Sequence, residues 1–360
     1  MDRLLGSSEV ADWVRRLGRL AHVGCWRAGS SWQGRPVWAL EAALAGGGTA
    51  SVARLRLLKP TLLLNARHHA NEISSTNAAL RLVWELAATG WGRQALRRVN
   101  VVVVPLENAD GVATLEALLP GAEGHKLHAA RYNALGVEWY ADYFDPAPRF
   151  PEARVKPRLW RRWLPLIVLD AHGVPSHEWE QPFSGYAPVR FRQYWIPRAF
   201  IYTVVPFLDQ PGHPGCGPAR RLVRVMAEAL RGDAEMDALN RELGRRYRRY
   251  ARGPEPGVFP PGAAETLVAL PAEARIAGLN FAARRFPLTL SEIITEVTDE
   301  VVAGKLLRLC ARGHLTVAKA LIDFLSRHPP GRLMRKPLRE GRLILSWESG
   351  LPRGRSEKSY

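Results

Sequence analysis

Hydrophobic positions along this chain fall into two alternating arrangements. Short runs that are apolar on both faces occur at residues 61–64, 99–106, 166–170, 199–205 and 293–297. Such runs are the mark of strands buried in the middle of a sheet with helices on either side. Between them the apolar positions recur at helical spacing. Residues 75–89 place Leu80, Val83 and Leu86 on one face behind serines able to cap the helix. Residues 218–252 read as one or two basic amphipathic helices broken near Gly232, and residues 301–327 as a long amphipathic helix that Gly313 is placed to interrupt. Strands alternating with helices predict a three-layer α/β/α sandwich around a mixed, mostly parallel sheet. Residues 254–271, rich in Pro, Gly and Ala, read as a long surface loop. The character changes after His328-Pro-Pro-Gly331. Residues 1–327 are therefore expected to form the main domain, and 328–360 a basic tail with one strand near 342–347 and a disordered end.

Composition narrows this picture. The 360 residues are 47% hydrophobic and 24% charged, which suits a globular protein and excludes a disordered or fibrous one. No apolar run approaches the ~18 residues that span a bilayer, and the first residues lack the apolar core of a signal peptide. Cys25, Cys216 and Cys310 are scattered in no metal-ligand spacing and read as small buried residues. A soluble, cytoplasmic protein is expected. The formal charge is +17, and 44 of the 51 basic residues are arginine, a skew that a GC-rich genome would also produce. Arg241, Arg245, Arg246, Arg248, Arg249 and Arg252 cluster with only Glu242 to oppose them. No nucleic-acid-binding module accompanies the cluster, so a solvated basic face is expected rather than a specific nucleic-acid partner.

The sharpest local signal is Asn65-Ala-Arg-His-His-Ala-Asn-Glu-Ile73, directly after one apolar run and before a helical pattern. His69 and Glu72 are three apart, which on a first helical turn sets both on one face. Another apolar run, about 100 residues on, ends in Leu169-Asp-Ala-His-Gly173 and supplies His172. Two histidines and one glutamate, with a fourth position open, suit a catalytic zinc. His68 is the alternative to His69, at a spacing of four from Glu72. Asp170 is expected to face away from His172 in a structural role. Glu296 lies inside the apolar run Ile293-Ile-Thr-Glu-Val297, where a carboxylate is costly unless paired, protonated or functional. As a general base beside a metal-activated water it would have a reason to be there. Neither a G-x-S-x-G elbow nor a phosphate-binding G-x-x-x-x-G-K loop is present, which removes those hydrolase and nucleotidase classes.

These elements, in this order, resemble the zinc carboxypeptidase family over about residues 10 to 326. Gly29-Ser-Ser-Trp-Gln-Gly-Arg35 resembles the family's G-x-S-x-x-G-R lead-in, and Pro105-Leu-Glu-Asn-Ala-Asp-Gly111 its P-x-x-N-P-D-G segment, with Ala109 in place of proline. The resemblance implies a zinc carboxypeptidase-like catalytic domain holding one Zn2+ per chain through His69, Glu72 and His172, with Glu296 as general base. It implies Arg131 as the residue polarising the scissile carbonyl. Gly136-Val-Glu138 resembles the family's G-V-D, so Glu138 would orient His69 from behind.

The departures bear on substrate. The family's Asn-Arg pair, which clamps a substrate's terminal carboxylate, is matched here by Tyr140 and Ala141, and residues 254–295 contain no tyrosine. A bidentate arginine fork is not replaced by such side chains. Arg190, Arg192, Arg284 and Arg285 are possible substitutes. The polar, aromatic segment after His172 offers His177, Glu178, Trp179 and Tyr186 as substrate-binding candidates. A metallopeptidase acting on a peptide or peptide-like substrate is the leading expectation. A zinc amidase or deacylase acting on N-acyl amino acids or peptidoglycan-type peptides is the alternative, and a non-catalytic basic binding protein on the same fold is the second.

Overall fold

A computed structural model describes residues 2–44, 51–121, 130–174, 199–208, 210–212, 215–250, 268–271, 289–298, 303–328, 333–337 and 343–347. Ten strands occur among them: β1 (Val23–Ser30), β2 (Pro36–Ala42), β3 (Thr61–Ala66), β4 (Asn100–Val104), β5 (Ile167–Val174), β6 (Ile201–Val205), β7 (Val268–Pro271), β8 (Ser291–Thr298), β9 (Leu333–Pro337) and β10 (Leu343–Trp347). The first eight form one sheet in the order β1-β2-β4-β3-β5-β8-β6-β7, while β9 and β10 pair antiparallel by themselves. The central pairs β4–β3, β3–β5 and β5–β8 are parallel, as is β6–β7; β1–β2, β2–β4 and β8–β6 are antiparallel. This is the mixed sheet the apolar runs predict.

Helices cover both faces, and that is why the central strands are apolar throughout. They are α1 (Ser7–Leu17), α2 (Val52–Leu58), α3 (Ser74–Ala88), α4 (Gly90–Leu96), α5 (Ala109–Leu118), α6 (Val155–Trp163), α7 (Cys216–Arg231), α8 (Ala234–Tyr250) and α9 (Gly304–Arg327). Val14 of α1, Leu80 of α3, Leu222 of α7 and Leu321 of α9 share one core with Leu62, Leu64, Leu169 and Ile293. The alternate residues Leu63, Val102 and Val168 face the other core, with Trp160 and Trp163 of α6 and with Trp139, Phe144 and Phe150.

Several expectations are corrected. Helix α9 runs through Gly313 unbroken, and a Cβ at that position would meet Ile201 Cδ1 at 2.7 Å and Phe200 Cε1 at 3.2 Å. The glycine serves close approach to β6 rather than a break. The serines do not cap α3: Ser75 Oγ accepts from Arg67 N–H at 3.1 Å and donates to the Glu72 carbonyl at 3.1 Å. Residues 268–271, expected in a loop, form β7, whereas 254–267 lie outside the described residues. Cys25 is exposed; Cys216 and Cys310 are buried. The strand expected near 342–347 is joined by β9 in a hairpin. Strands β1 and β2 escape the sequence reading because their burial is mixed along the chain rather than continuous. Helices α7 and α8 do part at Gly232, and Arg241 and Arg245 on α8 pair with Asp237 and Glu242 at 2.8 and 2.7 Å. Among the described residues no helix is long and apolar enough to cross a membrane.

The turn from α3 into α4 brings backbone close against backbone at Gly92. A Cβ on Gly92 would fall 2.2 Å from the Glu85 carbonyl oxygen and 2.4 Å from Leu86 Cα. Neither atom can swing aside. Gly92→Ala is therefore expected to lose about 1–3 kcal/mol of stability, read as a lowered urea midpoint with unchanged slope.

Candidate metal centre

Strand β3 ends at a sharp reversal. Arg67 has φ 57°, the left-handed region that a side chain enters at a cost. Its fully buried guanidinium holds the turn, with Nε donating to the Ala70 carbonyl at 2.8 Å and Nη1 to the Leu5 carbonyl at 2.7 Å. The reversal delivers His69 and Glu72 to the turn just before α3, not to a first helical turn as the spacing predicts; there the Glu72 N–H donates to the His69 carbonyl at 3.1 Å. His172 comes from the carboxyl-terminal part of β5, the neighbouring parallel strand. His69 Nδ1 lies 2.7 Å from Glu72 Oε1, His172 Nδ1 2.9 Å from Glu72 Oε2, and the two Nδ1 atoms 3.0 Å apart. All three residues are buried. Donors about 2.0 Å from a tetrahedral zinc stand roughly 3.3 Å from one another, so this set of two nitrogens and a carboxylate fits that ion with a few tenths of an ångström of expansion.

Each histidine is held from behind. His69 Nε2 meets Glu138 Oε2 at 2.9 Å, as the sequence reading expects of Glu138. The other Glu138 oxygen is 2.5 Å from His68 Nε2, and His68 Nδ1 is 3.0 Å from Glu107 Oε2 and 3.1 Å from the Tyr143 hydroxyl. His68 thus stands beside Glu138 rather than against Glu72, although His68, His69 and Glu138 also bring donor atoms close together. His172 Nε2 lies 3.3 Å from Asp170 Oδ1. Asp170 therefore does not face away: positions two apart in a strand share a face. It orients His172 as Glu138 orients His69.

The lead-in motifs prove to be scaffolding. Asp110 accepts from the Ser31 hydroxyl at 2.6 Å, the Gln33 N–H at 2.9 Å and Arg35 Nη1 at 2.7 Å. Asn108 caps α5 by accepting from the Gly111 N–H at 2.8 Å. A Cβ on Gly111 would stand 2.7 Å from Ala70 Cβ and 2.8 Å from the Tyr132 carbonyl oxygen. The segment 105–111 is thereby locked against the turn that carries His69.

A cavity of about 310 Å³ opens over this group. His69, His172, Arg131, Glu138 and Glu296 line it, with Tyr140, Lys156, Asp170, Glu292 and Ile294. Glu296 is half-buried, and the register sets it directly opposite His172 on the adjacent parallel strand. Arg131 Nη1 is 3.0 Å from Glu72 Oε1. Tyr140 is 41% exposed on the cavity wall. His177, Glu178, Trp179 and Tyr186 lie outside the described residues, as do Arg190, Arg192, Arg284 and Arg285.

Residues 16–137 match the family model for zinc carboxypeptidase. Over this third of the chain the sequence is similar to that family. Similar solved structures include a metallo-carboxypeptidase from Burkholderia cenocepacia (15% identity, TM-score 0.56, covering 89% of this chain and 69% of that one). Another is a metallo-carboxypeptidase from Pseudomonas aeruginosa (17%, 0.55, 88% and 68%), and a third the carboxypeptidase A from Helicoverpa armigera (11%, 0.54, 90% and 73%). At these identities the likeness is one of fold. No curated protein matches the chain. The matched family is one of zinc enzymes, and in this carboxypeptidase-like chain His69, Glu72 and His172 are a group that can hold the metal.

Charge at the centre follows from burial. Burial and the charge of Arg131 lower the His69 pKa, leaving a neutral imidazole ready to ligate. Burial opposes a charged His172, but the Asp170 and Glu72 carboxylates override it and hold the pKa well above 6.5. Burial would likewise raise Glu72, but His69 and His172 keep it well below the usual carboxylate range. His172 must therefore lose its proton when a metal binds. Zinc uptake near pH 7 is expected to release about one proton per chain, seen as a buffer-dependent binding enthalpy. About one zinc per chain is expected in the wild type, and none in His69→Ala or Glu72→Ala, by metal analysis.

Lys156 and Glu292 were not singled out by sequence. Glu292 is fully buried, and burial outweighs the Lys156 ammonium 3.0 Å away, raising its carboxyl to about 7. A folded-state pKa above the unfolded value favours folding below about pH 4.5 and withdraws that support as pH rises through 7. The loss is on the order of 3 kcal/mol. Glu292→Gln lacks it, so its melting temperature relative to wild type is expected to climb between pH 5 and pH 8 and then level off.

Proposed function

We propose that the chain is a zinc-dependent hydrolase that cleaves an amide bond of a peptide, acting as a metallocarboxypeptidase-like peptidase. The observation that carries this reading is the cross-strand pairing of His172 with Glu296, which sets a half-buried carboxylate in the cavity lined by His69 and His172 of the metal-binding group. Zinc, when bound, supplies Lewis acidity that lowers the pKa of a water and polarises a carbonyl. The remaining roles fall to the chain. Glu296 takes the proton from the attacking water and delivers it to the leaving nitrogen. The Arg131 guanidinium, at the cavity wall, faces the oxygen on which negative charge develops. Glu138 and Asp170 fix the two imidazoles with Nδ1 turned toward Glu72. The apolar Ile294, between the two glutamates of β8, keeps part of the wall dry.

A second reading has its own support. Tyr140 stands where the family's carboxylate clamp would begin, and Ala141 follows it. A site without that fork also suits an acyl amide, as in an amidase or deacylase on the same fold.

The test compares matched peptides with free and amidated C-termini against acyl amino acids, with and without chelator. Chelator-sensitive cleavage of free-terminus peptides is expected; preference for acyl amino acids would select the second reading. Glu296→Gln is expected to keep its zinc and to lose about 100- to 10,000-fold in kcat. Full activity in that variant would remove Glu296 from the chemistry.

A further inference from the structure

The deep end of the cavity holds three charged side chains that the hydrolytic reading leaves idle. Lys156, Asp170 and Glu292 are 3%, 5% and 3% exposed, and all line the same cavity as Glu296. Lys156 reaches in from the first turn of α6; the two acids come from β5 and β8. Lys156 Nζ lies 2.7 Å from Asp170 Oδ2 and 3.0 Å from Glu292 Oε1, and it also faces the Tyr143 ring, 5.0 Å from the centroid. Asp170 Oδ1 is engaged by Asn65 Nδ2 at 3.2 Å and His172 Nε2 at 3.3 Å.

Counting what is spent shows what remains. The lysine gives its hydrogens to two carboxylates and turns toward a ring, and both Asp170 oxygens are taken. Glu292 Oε2 alone of these groups has no partner among the described residues. Lys156 is shared between two carboxylates, of which Asp170 is also met by His172, so Glu292 has only part of one ammonium. A buried, unmatched carboxylate oxygen is costly unless protonated or joined by a donor. The raised Glu292 pKa reflects the first of these outcomes. A bound cation would supply the second.

The geometry also sets the length of such a group. Glu292, Ile294 and Glu296 alternate on one face of β8, so the floor lies four residues, roughly 13 Å of strand, from the catalytic position. Between them Ile294 presents an aliphatic wall. A flexible aliphatic stem with a charged head fits this sequence of surfaces; a short or anionic side chain does not.

We propose that Glu292, backed by Lys156 and Asp170, is the floor of a specificity subsite for a substrate side chain that ends in an amine. This rests on the hydrolase reading for the substrate's orientation, but the subsite can be tested by binding alone. Zinc-loaded wild type and Glu292→Gln would be titrated calorimetrically with L-lysine, L-norleucine and L-glutamate as side-chain probes. In the wild type lysine is expected to bind at least ~10-fold more tightly than norleucine, the worth of one charge-assisted hydrogen bond. In Glu292→Gln that advantage should fall to within about 2-fold, with norleucine binding unchanged as the sign of an intact fold. Equal binding of lysine and norleucine in the wild type would overturn the proposal, as would a preference for glutamate or no binding of any probe. So would a lysine preference that survives in Glu292→Gln. Lysine selectivity without cleavage of any peptide would uphold the subsite and defeat the hydrolase reading, so the two failures are distinguishable.

Discussion

The structure around the cavity is governed by the need to compensate buried carboxylates. Glu72, Glu107, Asp170 and Glu292 are all at most 5% exposed, and Glu138 joins them at the cavity wall. Each is met by something positive or by a hydrogen-bond donor: Glu72 by Arg131, His69 and His172; Asp170 by His172, Asn65 and Lys156; Glu107 by His68, Asn65 and Tyr143. In low dielectric these contacts are strong when complete and expensive when broken. The metal-binding geometry is therefore a by-product of a wider constraint. His69 and His172 cannot rotate without stranding Glu138 or Asp170, so both Nδ1 atoms stay turned toward Glu72 whether or not a metal is present.

The sequence disclosed those parts of this arrangement that are local or continuous. All five apolar runs became strands of the main sheet; β3 and β4, covered on both faces, are buried at every position and need no polar alternation, while β6 alternates buried and half-buried residues. The His69–Glu72 pair was legible from its three-residue spacing, although both residues lie in the turn before α3 rather than on a first helical turn. His172 and Glu296 were legible because a polar group inside an apolar run is conspicuous. The sequence could not show that these two stand directly opposite each other, since register between β5 and β8 depends on about 120 intervening residues.

What stayed hidden had weak or misread signals. Lys156 sits in Val155–Trp163, where Lys, Arg and Trp mix as on any amphipathic surface helix, yet its ammonium is buried against two acids. Glu292 lay at the edge of an apolar run and shared a face with Glu296, a parity that the strand period alone could have flagged. The same parity places Asp170 with His172, against the expectation that it faced away. Strands β1 and β2 were missed because antiparallel strands toward a sheet edge carry mixed burial. The helix through Gly313 was misjudged for the opposite reason: a glycine read as a breaker was required by contact with Phe200 and Ile201.

The contrast between the basic exterior and the acidic floor has a physical resolution. A formal charge of +17 creates a field that favours anions around the protein, while Glu292 leaves the floor with an unmatched acceptor. At physiological salt the surface field decays over a Debye length of about 8 Å, whereas interactions inside a buried cavity are screened far less. The exterior can therefore influence how often a substrate arrives without deciding what the cavity accepts. That decision falls to short-range pairing: Lys156 is already engaged by Asp170 and Glu292, and Arg131, which meets Glu72 through Nη1, lies at the reacting end of the cavity. On the proposed reading, the discrimination exerted by the described part of this cavity is concentrated at its floor.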